Sequence, residues 1–444
     1  MQQKIVQQSD GYLNKTPLFQ FILLSCLFPL WGCAASLNDI LITQFKSVFA
    51  LSDFASALVQ SAFYGGYFLI AIPASLVIRK TSYKMAIMIG LALYIAGCIA
   101  FYPASHMATY TMFLAAIFAI AIGLSFLETA SNTYSSMIGH RDHATLRLNV
   151  SQTFYPIGAL MGIVLGKYLV FQEGDSLESQ MAAMAAMTAE QAHAFRLTML
   201  EHTLAPYKYL VMVLVVVMLL FMFTRYPRCK PESNEKSRPS PGETFRYLAA
   251  NRHFKRGIVT QFLYVGMQVA VWSFTIRLAL TLGAANERHA SNFMIYSFVC
   301  FFIGKFVANF LMTRFRAEKV LIAYSVQGVL TLAYVMLVPN FTAVYAAVFV
   351  SVLFGPCWAT IYAGTLATVD NKFTEVAGAF IVMAIVGAAF VPALQGLMSD
   401  TLDSMQLAFG VSLLCFAWVG FYFYGELRHK KQPVAAGRLV EELR

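Results

Sequence analysis

The segment LVIRKTSYKMAI, Leu76–Ile87, returns in the second half of the chain as LMTRFRAEKVLI, Leu311–Ile322. Both fit Leu-x-x-Arg-x-x-x-x-Lys-x-x-Ile, with Arg79 and Lys84 in the first copy and Arg314 and Lys319 in the second. Each copy is a short basic loop between two long apolar runs. It recurs at the same ordinal place, after the second run of each half. The chain therefore reads as two related sets of six runs.

Working outward from these loops, apolar runs fall at 18–45, 53–78, 84–103, 108–138, 148–171, 206–225, 257–283, 292–313, 319–338, 341–367, 376–398 and 405–425. Each is long enough for a helix to cross hydrocarbon, which takes ~20 residues. They are apolar on nearly all sides and lack the alternation of a membrane barrel. Of the 444 residues 59% are hydrophobic and 12% charged. Soluble domains carry about 25% charged residues, so a water-soluble enzyme is excluded. The 38 Phe and 22 Tyr exclude a disordered chain. The expected fold is an all-α integral membrane protein of twelve transmembrane helices in two pseudo-symmetric six-helix bundles. Bundles paired in this way build secondary transporters, with the binding site at the repeat interface near midplane.

The expected organisation is an N-terminal bundle over 17–225 with an outer loop at 172–205, a cytoplasmic linker over 226–256, a C-terminal bundle over 257–425 and a cytoplasmic tail over 426–444. A helix is expected around 188–203 in the outer loop and a short surface helix near Tyr247. The net charge of +10 sits mainly in short loops. The positive-inside rule therefore places both termini in the cytoplasm, and an even number of spans agrees with both lying on one side. This pattern is topological, and no nucleic-acid partner is expected. The polar stretch Met1–Thr16 leads into a run too long for a signal-peptide core. The seven cysteines include no CxxC pair, and His140 and His143 read as a surface pair, so no metal site is expected. No HExxH, phosphate loop or G-x-S-x-G is present, which leaves ATP-driven pumping and the common hydrolytic chemistries without support.

Ionisable groups inside membrane spans are costly and mark function by default. Asp39 lies late in span one beside Asn38, Glu128 in span four, Arg277 in span seven and Lys305 in span eight. Both acids fall in the first half and both bases in the second. The acids suit reversible proton carriage, because a protonated carboxyl lets a site cross the bilayer without an exposed charge. The bases suit gating or helix locking. Neutral polar groups recur at helical spacing nearby. Glu128 and Asn132 share one face, as do Asn149, Gln152 and Tyr155, and Gln268 and Trp272. Trp358 follows Gly355-Pro356, where span ten is expected to break. Amides with aromatic faces suit a neutral polyhydroxylated ligand. Gly158, Gly162 and Gly166 at four-residue spacing in span five admit close helix approach, either as packing or as a sliding surface.

With these residues in view, the chain resembles the major facilitator superfamily, and within it the fucose–galactose–glucose proton symporter branch. The resemblance runs from Phe21 to Phe423. It rests on Leu37-Asn38-Asp39-Ile40-Leu41 with Gln44-Phe45, Gln60-Ser61-Ala62-Phe63-Tyr64, Leu127-Glu128-Thr129-Ala130, and Arg147-Leu148-Asn149 with Gln152-Thr153-Phe154. In the second half it rests on Tyr264-Val265-Gly266 with Gln268, Cys300-Phe301-Phe302-Ile303-Gly304 and Phe380-Ile381-Val382-Met383. The resemblance implies that Asp39 is the outer acid of proton coupling, that Glu128 is the span-four acid of the sugar cavity and joins proton state to sugar binding, and that Gln152, Ser36, Tyr155 and Trp358 face that cavity. The reading of the residues adds Asn38, Asn132, Gln268 and Trp272 as expected sugar contacts. It further implies that Arg79, Lys84, Arg314 and Lys319 belong to a degenerate inner-gate motif. Members of the branch carry Asn where this chain has Ser36 and Tyr155, and Tyr where it has Trp358, so the coupling acids are kept while the lining differs. The expectation is proton symport of a neutral monosaccharide, L-fucose or a related hexose, by a monomer in the inner membrane of a bacterium. Lipid is the other expected partner, the proton is the coupling ion and no cofactor is expected. Passive uniport, export of another small polar solute, and a non-transporting nutrient sensor remain open.

Overall fold

The computed structural model describes residues 5–49, 53–107, 109–170, 184–230, 240–284 and 287–429. Among these residues are twelve helical segments long and apolar enough to cross a membrane. Span one comprises Leu18–Ser25 and Phe28–Val48, span two Asp53–Lys80, span three Tyr83–Met107 and span four Tyr110–Met137. Span five starts with a 3-10 turn at Arg141–His143, continues as Ala144–Gln152, breaks, and resumes as Tyr155–Leu165. Span six is Ala189–Phe223, span seven Arg252–Thr281, span eight Glu287–Arg314 and span nine Ala317–Leu337. Span ten is Thr342–Phe354 and Cys357–Leu366, and span twelve is Met405–His429. Span eleven repeats the plan of span five: a 3-10 turn at Asn371–Phe373, then Thr374–Met383, a second turn at Ala384–Val386, and Gly387–Leu402.

Prolines account for the breaks in spans five and ten. A proline has no N–H for the carbonyl four residues earlier. Pro356 breaks span ten at the expected place, and Pro156 breaks span five. Pro206, by contrast, lies inside the unbroken helix Ala189–Phe223. The sequence reading started span six at 206, whereas the helix begins at Ala189. Thr188 caps it, and the side chain of Gln191 reaches back to the Thr188 N–H. Its 35 residues measure about 52 Å at 1.5 Å per residue, well beyond a ~30 Å hydrocarbon layer. The helix expected near 188–203 is thus the start of span six. The short helix expected near Tyr247 is Pro241–Ala250, with a capping box between Ser240 and Glu243.

The chain forms two compact units. One contains Leu18–Tyr134 and Ile157–Arg228; the other contains Met1–Pro17, Ser135–Pro156 and Cys229–Arg444. In the first unit, span five lies against span one. A Cβ added to Gly158 would stand 1.9 Å from the Pro29 carbonyl oxygen, and one added to Gly162 would stand 2.8 Å from that of Cys33. The stripe is therefore a surface of backbone approach, and span one is its partner. Gly166 opens a single π-turn, Gly166–Val170, at the end of the same helix.

In the second unit, the segment before span one is an ordered strap. Gln7 accepts from the Cys229 N–H at 3.1 Å and donates to the Lys230 carbonyl at 2.5 Å. Leu13 is buried, and its N–H donates to the Gly139 carbonyl at 3.2 Å. Arg141 lies over the Tyr12 ring and 3.7 Å from the Asp10 carboxylate. Burial pushes the Tyr12 phenol up, while Arg141 and Arg147 pull it down. Arg147 is buried and donates to the carbonyls of Ser135, Ser136 and His140, which closes the turn between spans four and five.

Candidate functional site

Span four carries Glu128 and Asn132 on one face because they are one turn apart. Both side chains are buried. Glu128 lies beside Tyr67 of span two and Asn132, so the neighbours of its carboxyl among the described residues are neutral groups. Ser125, nearly one turn earlier, donates to the Tyr67 carbonyl at 3.2 Å. Asn38 and Ser36 of span one are buried in the same unit. The Asn38 Oδ1 has no hydrogen-bond partner among the described residues. Ser36 sits against the glycine stripe: its Cβ would be 2.9 Å from a Cβ at Gly162. A larger residue at 36 would therefore have to be fitted against span five. Asp39 follows in the same helix, but its side chain lies outside the described residues.

The remaining candidates belong to the other unit. Trp272 of span seven donates its indole N–H to Ser351 of span ten at 3.1 Å. Its ring packs with Phe298 at 4.5 Å and Phe301 at 5.3 Å. With its N–H engaged and its ring also near Phe354 at 5.9 Å, Trp272 is buried. Gln268, one turn away, is buried at 8% exposure. Trp358 stacks on Tyr362 at 5.1 Å just beyond the break in span ten. Tyr264 spans that break by donating to the Phe354 carbonyl at 3.2 Å.

Span five brings its polar face to spans eight and ten. Asn149 donates to Thr145 O at 3.0 Å and to Thr360 Oγ1 at 3.1 Å. Lys305 is buried and donates to the Gln152 carbonyl at 2.9 Å, with its ammonium 4.7 Å from the Phe301 ring centre. Asn309, one turn on from Lys305, donates to Thr153 Oγ1 at 2.7 Å. Tyr155 meets Phe301 edge-on.

The other expected gating residues are dispersed. Lys84 donates to the carbonyls of Met222 and Thr224 at 3.0 and 2.8 Å, which caps the end of span six. Arg314 and Arg277 are exposed over aromatic rings of their own helices, Phe310 and Phe274. Arg79 is half-buried and Lys319 exposed. His140 caps the 3-10 turn and His143 ends it, with ring centres 6.2 Å apart, and His140 lies 3.5 Å from the Asp142 carboxylate. Sequence reading missed Tyr67 and Ser351, and quoted Arg147 without giving it a role. Arg147 stood in plain view as a base next to Asn149, whereas nothing in the sequence linked Tyr67 to Glu128.

The model of the Major Facilitator Superfamily matches residues 19–392 of the chain. The chain is similar to the L-fucose-proton symporter of Escherichia coli (strain K12), with 34% identity over 92% of this chain and 93% of that protein. It is also similar to the glucose/galactose transporter of Brucella abortus, with 28% identity over 91% and 93%. The crystal structure of the E. coli fucose:proton symporter, FucP, superposes with a TM-score of 0.82 at 32% identity, covering 96% of this chain and 100% of that one.

Proposed function

The chain belongs to the Major Facilitator Superfamily, and from that premise we propose that it is a secondary active transporter carrying a neutral monosaccharide with a proton by alternating access. Relatives of this kind are transporters, and the chain is a transporter rather than an enzyme. The observation that carries proton coupling is Glu128. An isolated charge inside a span costs several kcal/mol, and a permanent ion pair would be the usual remedy. Among the described residues Glu128 instead neighbours Tyr67 and Asn132, both neutral. Such a carboxyl can take up or release a proton without first breaking an ion pair. Asp39 serves as the second coupling acid, nearer the outside.

Gln152, Tyr155, Gln268, Trp272 and Trp358 supply amide and aromatic contacts to the sugar, and Ser36, Asn38 and Asn132 are proposed as further sugar contacts on their sequence pattern. The mixture of amides and ring faces suits hydroxyls on one side of a hexose and C–H groups on the other. L-fucose, galactose and glucose are the sugars named for the relatives, and we take L-fucose or a related hexose as the substrate. The protein works as a monomer, spanning the bacterial inner membrane among its lipids with both termini in the cytoplasm.

The test is a panel of L-fucose, D-galactose and D-glucose added to de-energised cells that express the chain, with the external pH recorded. The transported sugar should make the medium alkaline with wild type and not with Asp39→Asn. Entry of the sugar without proton movement in wild type refutes coupling. No uptake of any hexose refutes the sugar assignment.

A further inference from the structure

Span eight meets two proline breaks through adjacent residues. Pro356 removes the N–H that would serve the Val352 carbonyl, and Gly304 lies against that carbonyl: a Cβ there would be 2.0 Å from the oxygen. Pro156 likewise removes the N–H that would serve the Gln152 carbonyl. Lys305 donates to that carbonyl at 2.9 Å. Among the described residues its partners are this carbonyl and the Phe301 face rather than a carboxylate. One turn on, Asn309 binds Thr153 Oγ1, and Thr153 in turn donates to Asn149 O at 2.9 Å. The contact belongs to the half of each helix nearer the basic loops, since Lys305 precedes Arg314 and Gln152 follows Arg141 by only a few turns.

We propose that Lys305 is a positioning residue of the transport cycle, holding span eight to span five through the carbonyl that Pro156 leaves without a helical donor. This rests on the transporter reading above. A proline-freed carbonyl is a strong acceptor that cannot retreat into its own helix. A lysine is the donor that can reach it on a flexible stem and let go of it. When the basic-loop side opens, spans five and eight must part there, and the bond breaks once per cycle.

The test is hydrogen–deuterium exchange of the full chain in lipid nanodiscs, read on peptides covering residues 149–160. A hydrogen bond from a charged donor is strong enough to change a local opening constant about tenfold. Lys305→Met should therefore raise exchange about tenfold, and Lys305→Arg, which keeps a donor, should stay within about twofold of wild type. In a Pro156→Ala background the alanine supplies the missing N–H, so adding Lys305→Met should change exchange by less than about twofold. L-fucose and D-galactose are then added separately. The transported sugar should raise exchange in wild type and add little in Lys305→Met, a response that a purely structural contact would not show.

Unchanged exchange in Lys305→Met, or an equal rise in both backgrounds, overturns the proposal. If Lys305→Met is not recovered folded, the double variant must be, because its carbonyl is satisfied; failure of both also overturns it. Loss of the Lys305–Pro156 coupling while proton-linked uptake persists refutes the latch alone. Intact coupling in a chain that moves no sugar refutes the transporter reading, and with it the role of the latch in a cycle.

Discussion

Gly304→Ala should damage the protein far more than one methyl group suggests. The added Cβ would stand 2.0 Å from the Val352 carbonyl oxygen and 2.6 Å from its carbon. Real Cβ contacts essentially never fall under 3.0 Å, so span eight must retreat by about 1.0 Å (3.0 − 2.0). Both of those atoms are backbone and cannot swing aside. Overpacking of this kind costs about 1–3 kcal/mol. Melting followed by size-exclusion of the detergent-solubilised protein should show Tm lowered by about 2–12 °C, taking ~2–4 °C per kcal/mol for a unit of this size. Gly65→Ala is the control, because nothing lies within 4 Å of a Cβ there. It should leave Tm unchanged or raise it, since alanine favours helix by up to about 1 kcal/mol. Equal melting of the two variants would refute the packing argument for span eight.

Lys84→Met removes both bonds to the end of span six and should lower thermal stability by about 1 kcal/mol, because the lysine is only half-buried. Uptake per folded molecule should stay near wild type; a selective loss of uptake would return Lys84 to the gate. Leu13→Ala should loosen the N-terminal strap from Gly139 and the 229–230 segment, seen as faster tryptic cleavage after the exposed Arg228. An unchanged cleavage rate would show that the strap holds nothing there. Trp272→Phe keeps a ring face and should shift the sugar KM less than threefold, whereas Trp272→Ala should raise it about tenfold or more. Equal effects of the two would mean that the indole N–H, not the face, serves the sugar.

Much of the fold was legible because lipid leaves few alternatives. Twelve apolar runs and the Gly355-Pro356 break reappear as helices and a break, while Arg79 and Arg314 lie in the last turns of spans two and eight rather than in the loops that follow. Pro206 misled because a proline can sit inside a long helix when its neighbours tolerate one freed carbonyl. The site was legible only by helix face. Glu128 and Asn132 are neighbours at four-residue spacing, but Tyr67 reaches Glu128 through tertiary packing that no periodicity encodes. Lys305 could be recognised as a costly buried charge. Its partner could not, because that partner is a backbone carbonyl and carries no sequence signature except Pro156 four residues on. Ser36 read as a cavity residue by resemblance; its place beside Gly162 adds a packing reason for its small size. Trp272 was legible as an aromatic one turn from Gln268, while the engagement of its N–H by Ser351 was not.

Proton coupling through Glu128 is tested most directly by comparing accumulation with exchange in Glu128→Gln. Glutamine keeps the shape of the protonated acid and can still bond to Tyr67 and Asn132. In energised vesicles wild type should concentrate the sugar roughly fiftyfold for one proton at 100 mV, since that charge movement supplies ~2.3 kcal/mol. Glu128→Gln should fall to equal concentrations on both sides while retaining sugar counterflow. Accumulation by Glu128→Gln at the wild-type level would contradict the account.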